Sequence, residues 1–230
     1  MTEHEKKRLL TKDEYEYLME HFQRISPLYK RTVNTQINYY FDTEDLSMTQ
    51  KNITCRIRLS NGQYKAIMKQ HIKDTDRSIE TEMEIHNGID RNAFTNKGLR
   101  LFGKMTTERC IVMEVSGCKV VLDKNEYLDT IDYELEVEYD PQNEIVARII
   151  FQYLSNEIVQ KNRMREHGET PVILKTTTSK SSRFFDRYTI INQKEQTKLS
   201  ETENREKCCC TAYEPDNRDP DAYLKKYTIN

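Results

Sequence analysis

The stretch Asp132-Tyr133-Glu134-Leu135-Glu136-Val137-Glu138-Tyr139 alternates acidic side chains with apolar or aromatic ones. Successive residues of a β-strand point to opposite faces, so the pattern predicts a strand with Glu134, Glu136 and Glu138 on one face. Three carboxylates on one face repel one another unless cations lie opposite them. The stretch therefore predicts a sheet with a charged face, whose countercharge could come from arginines inside a closed barrel or from a metal ion.

Charged residues two or four positions apart, and therefore on one face of a strand, recur in four other segments. The sets are Glu3-Glu5-Lys7, Arg56-Arg58, Lys65-Lys69 and Glu80-Glu82-Glu84. For any single strand, a solvated sheet face with cross-strand ion pairs explains such a pattern. Together, the acidic and basic sets favour a site for a polyanion bound with a divalent metal, because Mg²⁺ takes carboxylate and phosphate oxygens and arginine binds phosphate through a bidentate fork. The alternation alone supports a polyphosphate hypothesis and goes no further.

The remaining periodicity predicts a mostly antiparallel β domain with flanking helices. Thr11 and Glu14 form a capping box that opens one helix, and Asp140-Pro141 opens a second. Alternating segments predict strands at 2–10, 35–42, 54–59, 64–70, 78–85, 107–115, 119–122 and 132–139, with a last candidate at 172–178. Hairpin turns are predicted at Asn61-Gly62, Asn87-Gly88 and Ser116-Gly117.

Apolar residues at helical spacing predict the buried faces of the two helices. They are Tyr15, Leu18, Met19, Phe22 and Ile25 in the first helix, and Ile145, Ile149, Tyr153 and Leu154 in the second. After about residue 187 the apolar pattern fades into a polar segment rich in Lys, Glu, Asn and Thr. We therefore expect one domain at 1–187 and a flexible polar tail at 188–230.

Composition narrows the class of protein. Of 230 residues, 36 are basic and 38 are acidic, and the net charge of −2 gives no basic field that would favour nucleic acid. Apolar runs are far shorter than the ~20 residues that span a membrane, and no signal peptide is found. Six cysteines without a secreted disulfide pattern favour a reducing compartment. We expect a cytoplasmic protein with no nucleic-acid or membrane partner.

Several short motifs carry a resemblance to a known family. Glu3-His4-Glu5-Lys6-Lys7 resembles the Glu-x-Glu-x-Lys signature of the CYTH superfamily, the triphosphate tunnel metalloenzymes. Further segments are similar to later motifs of that family, in the same order: Tyr39–Thr43, Cys55–Arg58, Tyr64–Lys69, Leu122–Glu138 and Ser179–Phe184. The resemblance extends from residue 3 to about residue 187, and it is to the bacterial branch of uncharacterised CYTH proteins.

The resemblance implies a mainly antiparallel β (α+β) fold, an eight-stranded closed tunnel barrel with peripheral helices and a charged lumen. It implies metal ligands at Glu3, Glu5, Glu134 and Glu136. It implies phosphate-binding residues at Lys7, Arg56, Arg58, Lys69, Arg109, Lys180 and Arg183. Glu80, Glu82 and Glu138 would be further luminal acids. Where family members carry threonine two residues before the inward lysine, this chain has Ile67, which removes one polar group from the tunnel lining.

The activity implied is hydrolysis of a small triphosphate with Mg²⁺ or Mn²⁺, the substrate being inorganic tripolyphosphate, thiamine triphosphate or a nucleoside triphosphate. A second metal, or a base near Lys7 and Tyr40, would prepare the attacking water. Cyclisation of ATP to cyclic AMP is one alternative, although no residues point to adenine recognition. A non-catalytic polyphosphate-binding module is another, although pure anion binding gains nothing from so many luminal acids. A homodimer is left open.

Overall fold

The structure is a computed structural model that describes residues 2–25, 30–73, 75, 77–85, 92–95, 97–165 and 178–206. The chain divides into two compact units, residues 1–184 and 185–230. The strands are β1 (Thr2–Leu10), β2 (Thr32–Asp42), β3 (Ile53–Ser60), β4 (Gln63–His71), β5 (Arg77–Ile85), β6 (Arg100–Val115), β7 (Cys118–Tyr127) and β8 (Thr130–Tyr139). The helices are α1 (Lys12–Ile25), α2 (Ser47–Gln50), α3 (Asn92–Thr95), α4 (Glu144–Arg165, after a 3₁₀ turn at Pro141–Asn143) and α5 (Lys180–Glu206).

The eight strands form one closed antiparallel barrel, in the order β1-β5-β4-β3-β2-β6-β7-β8. Strand β1 closes the ring because it pairs with β5 near its start, where Glu3 lies opposite Ser78. It pairs with β8 along the rest of its length, where Lys7 lies opposite Glu136. Closure leaves no unpaired sheet edge. The predicted eight-stranded closed barrel with peripheral helices is confirmed.

The apolar faces of the strands point out of the barrel and the charged faces point in. On β8, Leu135 and Val137 are fully buried against a cluster that includes residues of α1 and α4. A second apolar cluster covers the outer faces of β2, β3 and β4 and includes Phe94 of α3. The alternate residues of β8, Glu134 and Glu136, are equally buried on the opposite face, inside the lumen. The helices therefore supply the hydrophobic burial that a small barrel ordinarily obtains from its interior.

Helix α1 begins as the sequence predicts. The Thr11 amide donates to the Glu14 carboxylate (2.8 Å), and the Glu14 amide donates to the Thr11 hydroxyl (3.2 Å). Both bonds satisfy amides that the first turn of a helix leaves without an intrahelical acceptor. Tyr15, Leu18 and Phe22 are buried against the barrel. The capping box and most of the predicted face are confirmed.

The face that helix α4 buries differs from the predicted stripe. Ile145, Ile149 and Tyr153 are 64%, 60% and 47% exposed, although Leu154 is buried as expected. The residues that reach the core with Leu154 are Ala147 and Ile158. At about 100° per residue, Ile145 and Ile149 lie roughly 180° and 140° around the helix from Leu154, whereas the buried partners of Leu154 lie within about 40° of it. The prediction of one continuous buried stripe was wrong for these three residues.

Two strands are longer than predicted. Strand β6 begins at Arg100 rather than at 107, and β7 continues to Tyr127 rather than ending at 122. A two-residue turn, Leu128-Asp129, joins β7 to β8 with positive φ at both residues. Asn-Gly or Asp-Gly ordinarily marks such a turn, so the sequence carried no signal for it. The hairpin turns predicted at Asn61-Gly62 and Ser116-Gly117 are confirmed.

The C-terminal segment also differs from expectation. Helix α5 continues to Glu206, so residues 188–206 of the predicted tail have regular secondary structure. The strand candidate at 172–178, apart from Thr178, and the turn candidate Asn87-Gly88 lie outside the described residues. The division between a domain at 1–187 and a tail stays a prediction. Among the helices that can be described, none is long and apolar enough to cross a membrane.

Candidate active site in the barrel lumen

One end of the lumen is closed by the residues that lead into helix α5 and by its first turn. The hydroxyls of Ser181 and Thr54 are 2.5 Å apart, which ties this turn to the start of β3. The Phe184 ring stacks against the fully buried Tyr40 with 4.8 Å between ring centroids. Gly103 lies directly beneath, because a Cβ there would be 2.9 Å from the Phe184 ring. The lumen is thus closed at the end where β2 and β7 finish.

Lys180, the first residue of α5, anchors the closed end electrostatically. Its ammonium lies 2.8 Å from Asp123, 3.0 Å from Glu134 and 2.6 Å from Glu136. Burial opposes a charged lysine, but these three carboxylates outweigh burial and hold the Lys180 pKa well above its ordinary value. Lys180 therefore remains an ammonium ion at neutral pH, in the centre of an acidic cluster.

Two arginines complete this cluster from opposite sides. Arg109 of β6 forms a fork with Asp123 (2.8 and 3.1 Å), and it also contacts Glu136 and Glu138. Arg183 binds Asp132 of β8 at 2.9 Å and Glu134 at 3.1 Å. Burial opposes the charge of Arg109, but its carboxylate partners raise its pKa. Such bidentate pairs are the strongest ion pairs of proteins.

A second group of paired charges lies between β1 and β4. Lys69 contacts both Glu3 and Glu5, and Lys7 lies 2.5 Å from Glu5. Burial raises the pKa of Glu5, but Lys7 and Lys69 outweigh burial and the repulsion from Glu136, and lower it to about 2. That repulsion indicates that Glu5 and Glu136 are electrostatic neighbours across the β1–β8 ladder.

Arg56 and Arg58 of β3 are paired more weakly. Arg56 lies 3.6 Å from Glu80, and its buried Nε has no hydrogen-bond partner among the residues that the structure describes. Arg58 donates from Nε to the Asn38 side-chain oxygen at 3.1 Å, and within the described part of the chain no carboxylate lies within 4.0 Å of it. Burial, followed by repulsion from Arg56 and Arg109, lowers the Arg58 pKa to about 10, so the guanidinium is still charged at neutral pH. This wall of the lumen has excess positive charge.

The free space in the lumen is a small cavity of about 50 Å³, which opens to a mouth of about 1120 Å³. The cavity has room for one or two water molecules, at ~30 Å³ each. The predicted site residues that line the cavity are Glu3, Glu5, Lys7, Arg56, Arg58, Lys69, Arg109, Glu136 and Lys180. Those that line the mouth are Glu3, Arg58, Glu80, Glu82, Arg109 and Glu138.

Three predicted site residues lie apart from the cavity. Glu134 and Arg183 bind each other behind it, close to the first turn of α5. Tyr40 is completely buried under Phe184, and its hydroxyl faces the sulfur of Met105 at 3.7 Å. These positions suit structural support of the closed end. The catalytic role of Tyr40 stays a prediction that its buried position does not favour.

Several residues that the sequence-based site omitted also face the lumen. Asp123 is fully buried and binds both Lys180 and Arg109. The sequence feature that could have indicated its luminal position is that it shares a strand face with Lys119. Asn38 and His71 line the cavity as well. Burial, followed by repulsion from Lys69 and Lys7, lowers the His71 pKa to about 4, so the imidazole is neutral at pH 7. Ile67 is fully buried in the luminal register between Arg56 and Glu82.

The luminal carboxylates have the donor chemistry that Mg²⁺ or Mn²⁺ requires. Glu3, Glu5 and Glu136 line the cavity, and repulsion from Glu136 raises the pKa of Glu5. Lysines neutralise them here, and no three His, Cys, Asp or Glu side chains of the described residues already converge as metal ligands. The donor set therefore fits a divalent metal once these lysines turn to another anion.

Several known proteins are similar to this chain. YjbK of Bacillus subtilis (strain 168), described as a candidate triphosphatase, is 27% identical over 146 residues, which cover 57% of this chain and 74% of YjbK. A structure from Bacillus halodurans described as a candidate adenylate cyclase has a TM-score of 0.55 at 22% identity, covering 80% of this chain and 97% of that one. HpAC1 from Hippeastrum, a candidate adenylyl cyclase with a dominant triphosphatase activity, has a TM-score of 0.55 at 20% identity, covering 75% and 99%.

The two structural matches share the fold of the barrel with this chain. The family model for the CYTH domain matches residues 1–163, which is more than half of the chain and includes all eight strands. The chain belongs to the CYTH domain family.

Proposed function

We propose that this protein is a metal-dependent triphosphatase that hydrolyses a small triphosphate inside the barrel. The observation that carries the proposal is a lumen, closed at one end, that holds arginines and lysines side by side with carboxylates. Inorganic tripolyphosphate, thiamine triphosphate and a nucleoside triphosphate are the candidate substrates. The names of YjbK and HpAC1 both support triphosphate hydrolysis.

The charge balance of the lumen supports a requirement for metal. Below the exposed Lys65–Glu82 pair at the mouth, the luminal cations among the described residues are Lys7, Arg56, Arg58, Lys69, Arg109, Lys180 and Arg183. The luminal acids are Glu3, Glu5, Glu80, Asp123, Asp132, Glu134, Glu136 and Glu138. All of these cations except Arg58 already lie beside carboxylates, so a bound polyanion must draw some of them away. Those carboxylates then need another cation, and a divalent metal supplies it.

The cavity residues divide into two roles. Glu3, Glu5 and Glu136 would hold the metal, which when bound neutralises phosphate charge and lowers the pKa of coordinated water. Lys7, Lys69, Arg109 and Lys180 would leave their carboxylates to grip the phosphates, together with Arg56 and Arg58. Stabilisation of the charge on the transferred phosphoryl group by such fixed cations is the main requirement of phosphoryl transfer.

Lys7 suits charge stabilisation better than proton transfer. Burial lowers the pKa of Lys7, but Glu5, followed by Glu134 and Glu136, outweighs burial and raises it. The ammonium therefore keeps its proton at neutral pH, and a general base must be able to give its proton up. We assign Lys7 to phosphate binding.

The test is product release from three substrates: tripolyphosphate, thiamine triphosphate and ATP, each with Mg²⁺, with Mn²⁺ and with a chelator. Phosphate release that the chelator abolishes is the expected result. Cyclic AMP from ATP would instead support the cyclase that the Bacillus halodurans description suggests. Binding of the triphosphates without turnover under any condition would leave a binding module as the function.

A matched pair of variants ties the activity to the lumen. Glu136→Gln removes a luminal charge from β8. Glu126→Gln makes the same change on the adjacent strand β7, at a half-exposed residue that pairs with Lys124 of its own strand. We expect turnover to be lost in the first variant and retained in the second. Equal activity in the two variants would place the chemistry outside the lumen.

A further inference from the structure

Arg58 differs from the other cations of the lumen in its partner. Lys7, Lys69, Arg109, Lys180 and Arg183 each lie within 3.3 Å of a carboxylate, whereas the recorded partner of Arg58 is the neutral side chain of Asn38. Arg58 also lines both the cavity and the mouth. It is therefore the cation whose charge is most available to an anion that enters the lumen.

Asn38 is built into the barrel wall to make this contact. It lies directly opposite Arg58 in the β2–β3 ladder, and it is 2% exposed. Its oxygen accepts from Nε at 3.1 Å, which leaves the two terminal nitrogens of the guanidinium for other acceptors. Because the guanidinium is planar and rigid, fixing Nε also fixes the direction of the terminal fork.

The choice of an amide at position 38 has a specific electrostatic effect. An aspartate in the same place would accept the same hydrogen bond, but its charge would compensate Arg58 and compete with phosphate. A small side chain would leave Nε without its acceptor and the fork without a fixed direction. Of asparagine, aspartate and a small side chain, only asparagine both fixes the direction of Arg58 and leaves the charge of Arg58 without a compensating carboxylate.

We propose that Asn38 is a positioning residue that holds Arg58 in a phosphate-binding orientation without neutralising it. The inference rests on the proposed function, because it takes the anion to be a triphosphate. It adds a residue that the charge pattern of the sequence could not identify, since Asn38 carries no charge.

The experiment measures binding of imidotripolyphosphate, a non-hydrolysable form of inorganic tripolyphosphate, to the full chain by calorimetry. Mg²⁺ is present, because the luminal carboxylates need a counter-cation when the lysines and arginines bind phosphate. The proteins are wild type, Asn38→Asp, Arg58→Gln and the double variant. We expect Asn38→Asp to raise the Kd about tenfold or more, the scale of a charge-assisted hydrogen bond. In the Arg58→Gln background the same substitution should change the Kd less than twofold, because its target is gone.

A control separates this contact from a general change in luminal charge. Gln36 lies two residues away on the same face of β2, opposite Ser60 and Thr107 rather than Arg58. Gln36→Glu adds the same charge, and it should raise the Kd clearly less than Asn38→Asp does. An equal rise in both variants, or an equal effect of Asn38→Asp with and without Arg58, would overturn the inference.

Folding and the wider proposal are tested in the same series. If Asn38→Asp does not fold, Asn38→Ser replaces it, because the shorter side chain no longer offers the acceptor for Arg58. We expect Asn38→Ser to weaken binding in the wild-type background and to have no effect on the Kd in the Arg58→Gln background. Wild-type protein that does not bind imidotripolyphosphate would refute the proposed function and this inference with it. Tight binding by wild type and by Asn38→Asp alike would refute this inference alone.

Discussion

Replacement of Lys180 by methionine tests whether the luminal ion pairs hold the closed end of the barrel. Methionine keeps much of the length of the side chain and removes the charge. The substitution leaves Asp123, Glu134 and Glu136 without the ammonium that now lies within 3.0 Å of all three. It also removes one of the contacts between the first turn of α5 and the closed end of the lumen, where Arg183 and Phe184 supply others.

The loss in the free energy of unfolding depends on which ion pairs the variant retains. Three charge-assisted hydrogen bonds are lost, each typically worth about 1.5–3 kcal/mol, but their energies do not add. Arg109 still binds Asp123 and Glu136, and Arg183 still binds Glu134. Loss of one partner from a buried ion pair costs about 3–5 kcal/mol, and the retained arginines place this case near the lower end, about 3 kcal/mol. At roughly 2–4 °C per kcal/mol, Tm should fall by roughly 6–12 °C.

Urea unfolding followed by circular dichroism measures the loss, with Lys124→Met as the control. Lys124 forms a 2.6 Å pair with Glu126, but both side chains are substantially exposed, so the control should lose less than about 1 kcal/mol. A loss in Lys180→Met no larger than in the control would refute the view that these pairs hold the closed end.

Three further predictions follow from the same geometry. Glu136→Gln should lower metal-dependent phosphate release about a hundredfold or more while Glu126→Gln does not, and an active, folded Glu136→Gln would exclude a metal ligand there. The Glu5 pKa is lowered from 4.5 to about 2, so the stability that ionised Glu5 contributes is complete above about pH 5 and is lost as the pH falls toward 2. Unfolding measured in chelator should show that the free energy of unfolding falls by an amount on the order of 3 kcal/mol over this range. A free energy of unfolding that does not change with pH would contradict the pairing of Glu5 with lysine. Gly103→Ala should cost about 1–3 kcal/mol through its 2.9 Å clash with Phe184, and Phe184→Leu should restore part of that loss; melting curves test both.

The face of each luminal residue could be predicted from sequence because strands alternate with period two. Glu5, Arg58 and Glu136 face inward as that rule requires. The depth along the barrel axis could not be predicted, because it depends on how far neighbouring strands are staggered. Tyr40 shows the difference: its residue number has the inward parity, but the stagger puts it beneath Phe184 and away from the cavity.

The end of β7 shows a second limit. Lys124, Asn125 and Glu126 have the composition of a loop, and they follow the last residue of the predicted strand. In this barrel polar residues face inward, so Asn125 is fully buried and bonded to Thr107 and Asp132. A run of polar residues in this sequence can therefore belong to a strand that faces the lumen, and it does not by itself indicate a turn. Asp123 was omitted from the predicted site because its place in the sequence was equally consistent with a role on the protein surface.

The pairing of β1 with β8 has a consequence for synthesis on the ribosome. Leu10 of β1 lies opposite Tyr133 of β8, so β1 must wait until some 120 further residues have been translated before most of its ladder can form. At about 5–20 residues per second the delay is roughly 6–25 s. During that interval the alternating charges of Glu3, Glu5 and Lys7 keep one face of the waiting strand hydrated. The residues that give the finished lumen its charge would thus also protect the nascent chain from premature association.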